Sequence, residues 1–140
     1  MPTLDADDAR RRFAAARVAR LATVSGDGRP HLVPVVFAVE DDTVLMAVDA
    51  KPKRHRGLRR LRNIDDDPAV SLLVDHYDDD WSALWWVRAD GTATVTDAEP
   101  VLARVRDALG ARYPQHREEP PAGPAITVDV QRWAGWAATA

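Results

Sequence analysis

Residues 31–40, HLVPVVFAVE, carry apolar side chains on both faces of an extended chain. Leu32, Val36 and Ala38 fall on one face, and Val33, Val35, Phe37 and Val39 on the other. A small antiparallel sheet normally leaves one face to water. This strand therefore requires cover on both sides. A barrel interior supplies one cover, and a second subunit or a flat ligand supplies the other. Pro34 removes one ladder donor, which predicts an edge or a bulge at that point.

The same patterning places the other elements. Residues 5–16, DADDARRRFAAA, predict a helix with Asp5, Asp7 and Asp8 at its positive end. Leu4, Phe13 and Val18 are its expected anchors. Residues 17–25 predict a strand, GDGRP at 26–30 a turn, and residues 43–49 a third strand. Short connections join these three strands into an expected antiparallel meander. Residues 69–77, AVSLLVDHY, predict a fourth strand. Residues 83–97 predict either a long fifth strand or a strand with a bulge near Asp90 and Gly91. Beyond that bulge Ala93 and Val95 alternate with Thr92, Thr94 and Thr96. Val101, Leu102, Val105 and Leu109 have helical spacing within 98–113. Residues 114–125 read as a polar, proline-rich loop, and residues 125–133 as the last strand. The order defines an α+β fold, mainly β, with a small closed or split antiparallel barrel as its core, in one domain spanning residues 1–140.

Charge changes this picture. The chain carries 19 basic and 22 acidic residues, for a net charge of −3. Seven of the basic residues lie in 51–62, KPKRHRGLRRLR, which leaves 12 basic against 22 acidic residues elsewhere. The positive charge is local, which suits a pocket for one anionic molecule more than a broad nucleic-acid face. The absence of cysteine excludes disulfides and thiolate metal sites. His31, His55, His76 and His116 lack ligand spacing, so no metal site is expected. No apolar run reaches the length of a membrane span or a signal peptide. A cytoplasmic protein bound to neither membrane nor nucleic acid is expected.

Within the basic segment Leu58, Leu61 and Ile64 form a narrow apolar stripe on a short helix ended by Pro68. Arg56, Arg59 and Arg60 lie off that stripe. They suit a solvated face paired with Asp65, Asp66 and Asp67, where each pair contributes about 0–1 kcal/mol. They equally suit a phosphate clamp, since arginine grips phosphate with parallel hydrogen bonds and lysine adds a point charge. Five tryptophans are the second signal. Trp85 and Trp86 are adjacent, so a strand turns them to opposite sides. Asp75 and His76 could form an acid–base pair, or simply end a strand.

Three stretches, LATVSGDGRPHLVPVVF (21–37), RNIDDDPAVSLLVD (62–75) and DWSALWWVRADGTATV (80–95), resemble the flavin/deazaflavin split-barrel superfamily of pyridoxamine 5′-phosphate oxidase-like proteins. The likeness is closest to the branch that uses the deazaflavin coenzyme F420. It implies a six-stranded antiparallel split β-barrel of the FMN-binding type, with flanking helices. It also implies a homodimer with the cofactor in the subunit interface. The cofactor ring would lie along Pro34, Val35, Val36, Ala47 and Val48. Its phosphate-bearing tail would meet Lys51, Lys53 and Arg60. Trp81, Trp85, Arg88 and Trp133 are the implied closing residues, contributed across the interface. Relatives often carry lysine three residues before the Asn of an Arg-Asn-Leu motif; this chain has RLRNI, with Arg60 in that place.

The implied function is an F420-dependent reductase that transfers a hydride between the deazaflavin and a small organic substrate. Such chemistry asks the protein to bind, orient and exclude water. That agrees with a sequence lacking a nucleophile triad or a plausible carboxylate pair. An FMN protein of the same fold and a non-catalytic F420- or flavin-binding protein are the alternatives.

Overall fold

The computed structural model describes residues 3–48 and 56–139. Helix α1, Ala6–Ala15, starts where Asp5 accepts a hydrogen bond from the Asp8 amide at 2.8 Å. Its buried face, Ala9 and Phe13, enters the main core, where Phe13 meets Phe37 and Trp133 with ring centroids 4.9 and 5.3 Å away. Leu4 is buried beside them, but Val18 is not an anchor: it stands 41% exposed. It lies beyond the helix end, in the extended link to the first strand.

Seven strands follow: β1 Ala19–Val24, β2 Pro30–Val35, β3 Ala38–Glu40, β4 Thr43–Ala47, β5 Ala69–His76, β6 Trp85–Thr96 and β7 Ala125–Ala137. They form one antiparallel sheet in the order β2-β1-β5-β6-β7-β4-β3. The expected meander is not formed. The apolar run 31–40 divides at Val36 and Phe37, and its halves pair at opposite edges of the sheet. This division also makes the strands seven, where six were expected. β4 pairs with β3 and β7.

That division closes the barrel. Val35 ends one edge strand and Ala38 begins the other, with only two residues between them. Three residue steps span at most about 11 Å of extended chain. The sheet must therefore roll until its two edges nearly meet, which leaves a split barrel. Pro34 indeed lies on an edge strand.

The barrel interior holds Leu21, Val35, Phe37, Val44, Leu72, Val74, Val87 and Val128. A second core lies outside the β3–β4 edge. There Leu102, Val105 and Leu109 of α3, Val101–Arg112, pack with Ala38, Leu45 and Ala125. The two-sided strand therefore finds its outer cover from α3 on the β3 half. On the β2 half Leu32 remains 66% exposed.

The bulge falls between Asp90 and Gly91, where Asp90 faces Arg132 and Gly91 faces Val130. A side chain at Gly91 would collide with the Asp129 carbonyl oxygen, so the crossing strand approaches at glycine distance. The stretch 114–125 is not all loop: Pro114–Glu118 form a short helix, α4, with proline in the first turn. β7 runs four residues beyond the expected end at Trp133, to Ala137, pairing with β6 throughout.

Candidate functional site

The basic segment enters the structure as α2, Arg56–Asp66. Lys51 and Lys53, both expected at the anion, lie outside the described residues. Ile64 is buried and Leu61 partly so, which seats the helix on the barrel. Asn63 is buried as well, and its Nδ2 donates 3.0 Å to Thr23 Oγ1 in β1. This single polar contact fixes the rotation of α2 and so the direction of Arg60, one turn earlier.

Arg60 lines a small pocket of about 140 Å³ with Pro34, Val35, Val36, Met46, Ala47, His116 and Ile126. Among the described residues its buried Nε has no hydrogen-bond partner. Burial also lowers the guanidinium pKa below its usual value. Among the described residues, no ion pair joins Arg59, Arg60 or Arg62 to Asp65, Asp66 or Asp67. Arg59 and Arg62 thus stand exposed on a solvated face without those pairs, and Arg60 is half-buried. A half-buried cation whose Nε lacks a partner carries a desolvation cost that a bound anion would offset. At about 30 Å³ per water, the pocket has room for roughly five waters. That suits a phosphate group and a carbon or two, but not a tricyclic ring.

The fold thus gathers Pro34, Val35, Val36, Ala47 and Arg60 at one place, the end of β2 and β4. Val48 continues β4, its amide donating 3.0 Å to the Pro124 carbonyl. The expected closing residues lie elsewhere in the chain. Trp85 packs partly buried against the core, with Arg12 5.5 Å above its ring. Trp133 donates from Nε1 to Asp42 at 2.9 Å. Trp81 is 73% exposed. Arg88 lies on the outer sheet face, hydrogen-bonded to Asp90 at 2.9 Å.

That outer face has its own pattern. Register aligns Pro34, Arg20, Leu73 and Arg88 across β2, β1, β5 and β6, and beside them Leu32, Ala22, Ser71 and Asp90. Leu32, Leu73 and Tyr77 are exposed there, and Trp86 lines the same shallow groove. An exposed apolar area of this kind marks an interaction surface. Pro34 belongs both to this face and to the Arg60 pocket, so the pocket opens at the face's edge.

Sequence reasoning did not place His116 in the site. It comes from α4, whose position depends on tertiary contacts. Among the described residues no group of three His, Asp or Glu side chains could hold a metal ion. No helix of the described residues is long and apolar enough to cross a membrane.

A split antiparallel barrel with flanking helices is the architecture of the pyridoxamine 5′-phosphate oxidase-like proteins. Residues 6–137 match the family model for pyridoxamine 5′-phosphate oxidase, and the chain belongs to that family. Solved structures share the fold at low identity. An FAD-binding protein of Mesorhizobium loti is 21% identical, with 96% of this chain and 95% of that one covered and a TM-score of 0.73. The FAD-binding protein of Mycobacterium smegmatis is 20% identical, covered 96% and 95%, with a TM-score of 0.67. A heme storage protein of Vibrio cholerae is 15% identical, covered 96% and 95%, with a TM-score of 0.66.

Proposed function

We propose that the protein is a homodimeric oxidoreductase that binds coenzyme F420 with its phosphate against Arg60. The observation that carries this reading is the buried, unpartnered Arg60 Nε in an apolar-floored pocket of phosphate size. The tail of F420 carries a phosphate and further carboxylates, and seven cations in residues 51–62 suit such a multiply charged tail. When bound, the deazaflavin supplies the hydride chemistry.

The chain's own residues bind and orient. Pro34, Val35, Val36 and Ala47 present an apolar wall, and Arg60 holds the anion. The pocket cannot enclose a ring by itself, so the ring extends along β2 and β4 toward the exposed outer face. A second copy of the chain, docked on Leu32, Leu73, Tyr77 and Trp86, covers it there and excludes water. Trp81 and Arg88 then reach the seam from the partner. The substrate is a small organic molecule that can stack on the ring.

Titration of the purified protein with F420 tests this. Saturable binding with Kd on the order of ten micromolar or tighter supports it, and no detectable binding at ten times that concentration removes it. FAD- or FMN-dependence is the second reading, favoured by the FAD-binding proteins among the similar structures. A preparation that retains a yellow flavin would select it.

A further inference from the structure

His116 lines the small pocket together with Arg60 and also lines a larger groove of about 620 Å³ with Arg17, Val18, Val36 and Tyr113. Its place is rigidly set. Tyr113, immediately before α4, is buried, and its hydroxyl accepts from the Phe37 amide at 3.3 Å. The same hydroxyl lies 2.9 Å from the carbonyl oxygens of both Arg17 and Phe37. Arg112 adds hydrogen bonds of 2.7 Å to the carbonyls of Phe37 and Ala16. The root of α4 is thereby fastened to the two-residue link that closes the barrel. Val36, the other residue of that link, lines the pocket. His116 is half-buried, and its ring makes an edge contact with Tyr113 at 6.1 Å between centroids. Among the described residues nothing hydrogen-bonds its ring nitrogens.

We propose that His116 is the second anion-binding side chain of this pocket, donating from its imidazole to the same phosphate that Arg60 holds. The inference rests on the Arg60 reading above. In a space of about 140 Å³ a phosphate that touches one wall lies within reach of the other. Arginine alone leaves phosphate oxygens facing apolar carbon on the far side. An imidazole N–H from α4 satisfies one of them. His116 and Val36 line both the pocket and the larger groove, so His116 is within reach of a ligand in either.

The test pairs each phosphate-bearing cofactor with its phosphate-free counterpart: F420 with its phosphate-free deazaflavin riboside, and FMN with riboflavin. Dissociation constants are measured by fluorescence for the wild type, Arg60→Ala, His116→Phe and His116→Arg. His116→Phe is expected to weaken the phosphate-bearing ligand about tenfold and leave its counterpart within twofold. His116→Arg is expected to restore most of the loss. If Arg60→Ala weakens the phosphate-bearing ligand but His116→Phe does not, this inference alone fails. If His116→Phe weakens both members of a pair equally, its role is packing and the inference also fails. If the wild type binds neither phosphate-bearing ligand, or Arg60→Ala changes nothing, the anion pocket fails and this inference with it.

Discussion

Asn63 Nδ2 and Thr23 Oγ1 lie 3.0 Å apart in the interior, where both residues are almost wholly buried. This bond ties the basic helix to β1. With Ile64 and Leu61 seated on the core, it adds a directional contact that sets the side of α2 from which Arg60 reaches the pocket. Replacing Asn63 by Leu leaves the Thr23 hydroxyl buried without a partner. The expected cost is about 1–3 kcal/mol of stability, read from urea unfolding. Adding Thr23→Val should recover much of that loss, because both polar groups are then gone. Additive losses in the double variant would deny that the two residues act as a unit.

Gly91 sits at the bulge where β7 crosses closest to β6. Because a Cβ there meets the Asp129 carbonyl oxygen, Gly91→Ala should lower stability by about 1–3 kcal/mol. Gly28 offers the contrast. It lies at φ 85° in the β1–β2 turn with open space around it, so its substitution strains only the turn. Thermal unfolding of both variants should rank Gly91→Ala as the more damaging.

The outer face predicts oligomeric state. Leu32 is two-thirds exposed in the single chain and lies on β2, at the edge of the outer face. Leu32→Asp should convert a dimer to a monomer in light scattering and weaken cofactor binding with it. An equivalent change at Leu4, on the inner side, would instead unfold the protein. A wild type that scatters as a monomer would remove the proposed seam.

Asp90 supplies a pH dependence. Burial raises its pKa, and is the largest single influence. Hydrogen bonds from Arg88 and Ser71, with the charges of Arg88 and Arg132, together outweigh it and leave the pKa below the ordinary 3.8. The unfolded chain therefore binds this proton at a higher pH than the folded one. The contribution to stability is complete above about pH 4 and is lost as pH falls through the lower folded value. Asp90→Asn should flatten the acid limb of the stability profile and leave the neutral region's slope unchanged.

Much of the fold was legible because its periods are local. The alternation from Thr92 to Thr96, the helical spacing of Leu102, Val105 and Leu109, and the bulge at Asp90 and Gly91 all reappear in place. The division of residues 31–40 was not legible. Both halves are extended and apolar, and nothing local distinguishes a strand that crosses from one sheet edge to the other. The last strand was read too short because Ala134 and Gly135 look like a tail. Their role is packing: a Cβ on Gly135 would stand 2.9 Å from Leu4 and 3.1 Å from the Trp86 carbonyl oxygen. Of the candidate site, Pro34, Val35, Val36, Ala47 and Arg60 were implied by the resemblance alone, and the fold brings them to one pocket. His116 was not implied, because a lone histidine after a Tyr-Pro pair carries no spacing signal. Only the fastening of Tyr113 to Phe37 brings it to the pocket.

The central claim is that Arg60, half-buried with its Nε out of water, holds an anionic cofactor tail at the end of β2 and β4. A crystal structure of the protein with F420 bound measures this most directly. The account predicts the cofactor's phosphate within hydrogen-bond distance of the Arg60 guanidinium, with the ring leaving the pocket past Pro34 toward a second copy. A phosphate bound beside Arg88 on the outer face, with Arg60 untouched, would contradict it.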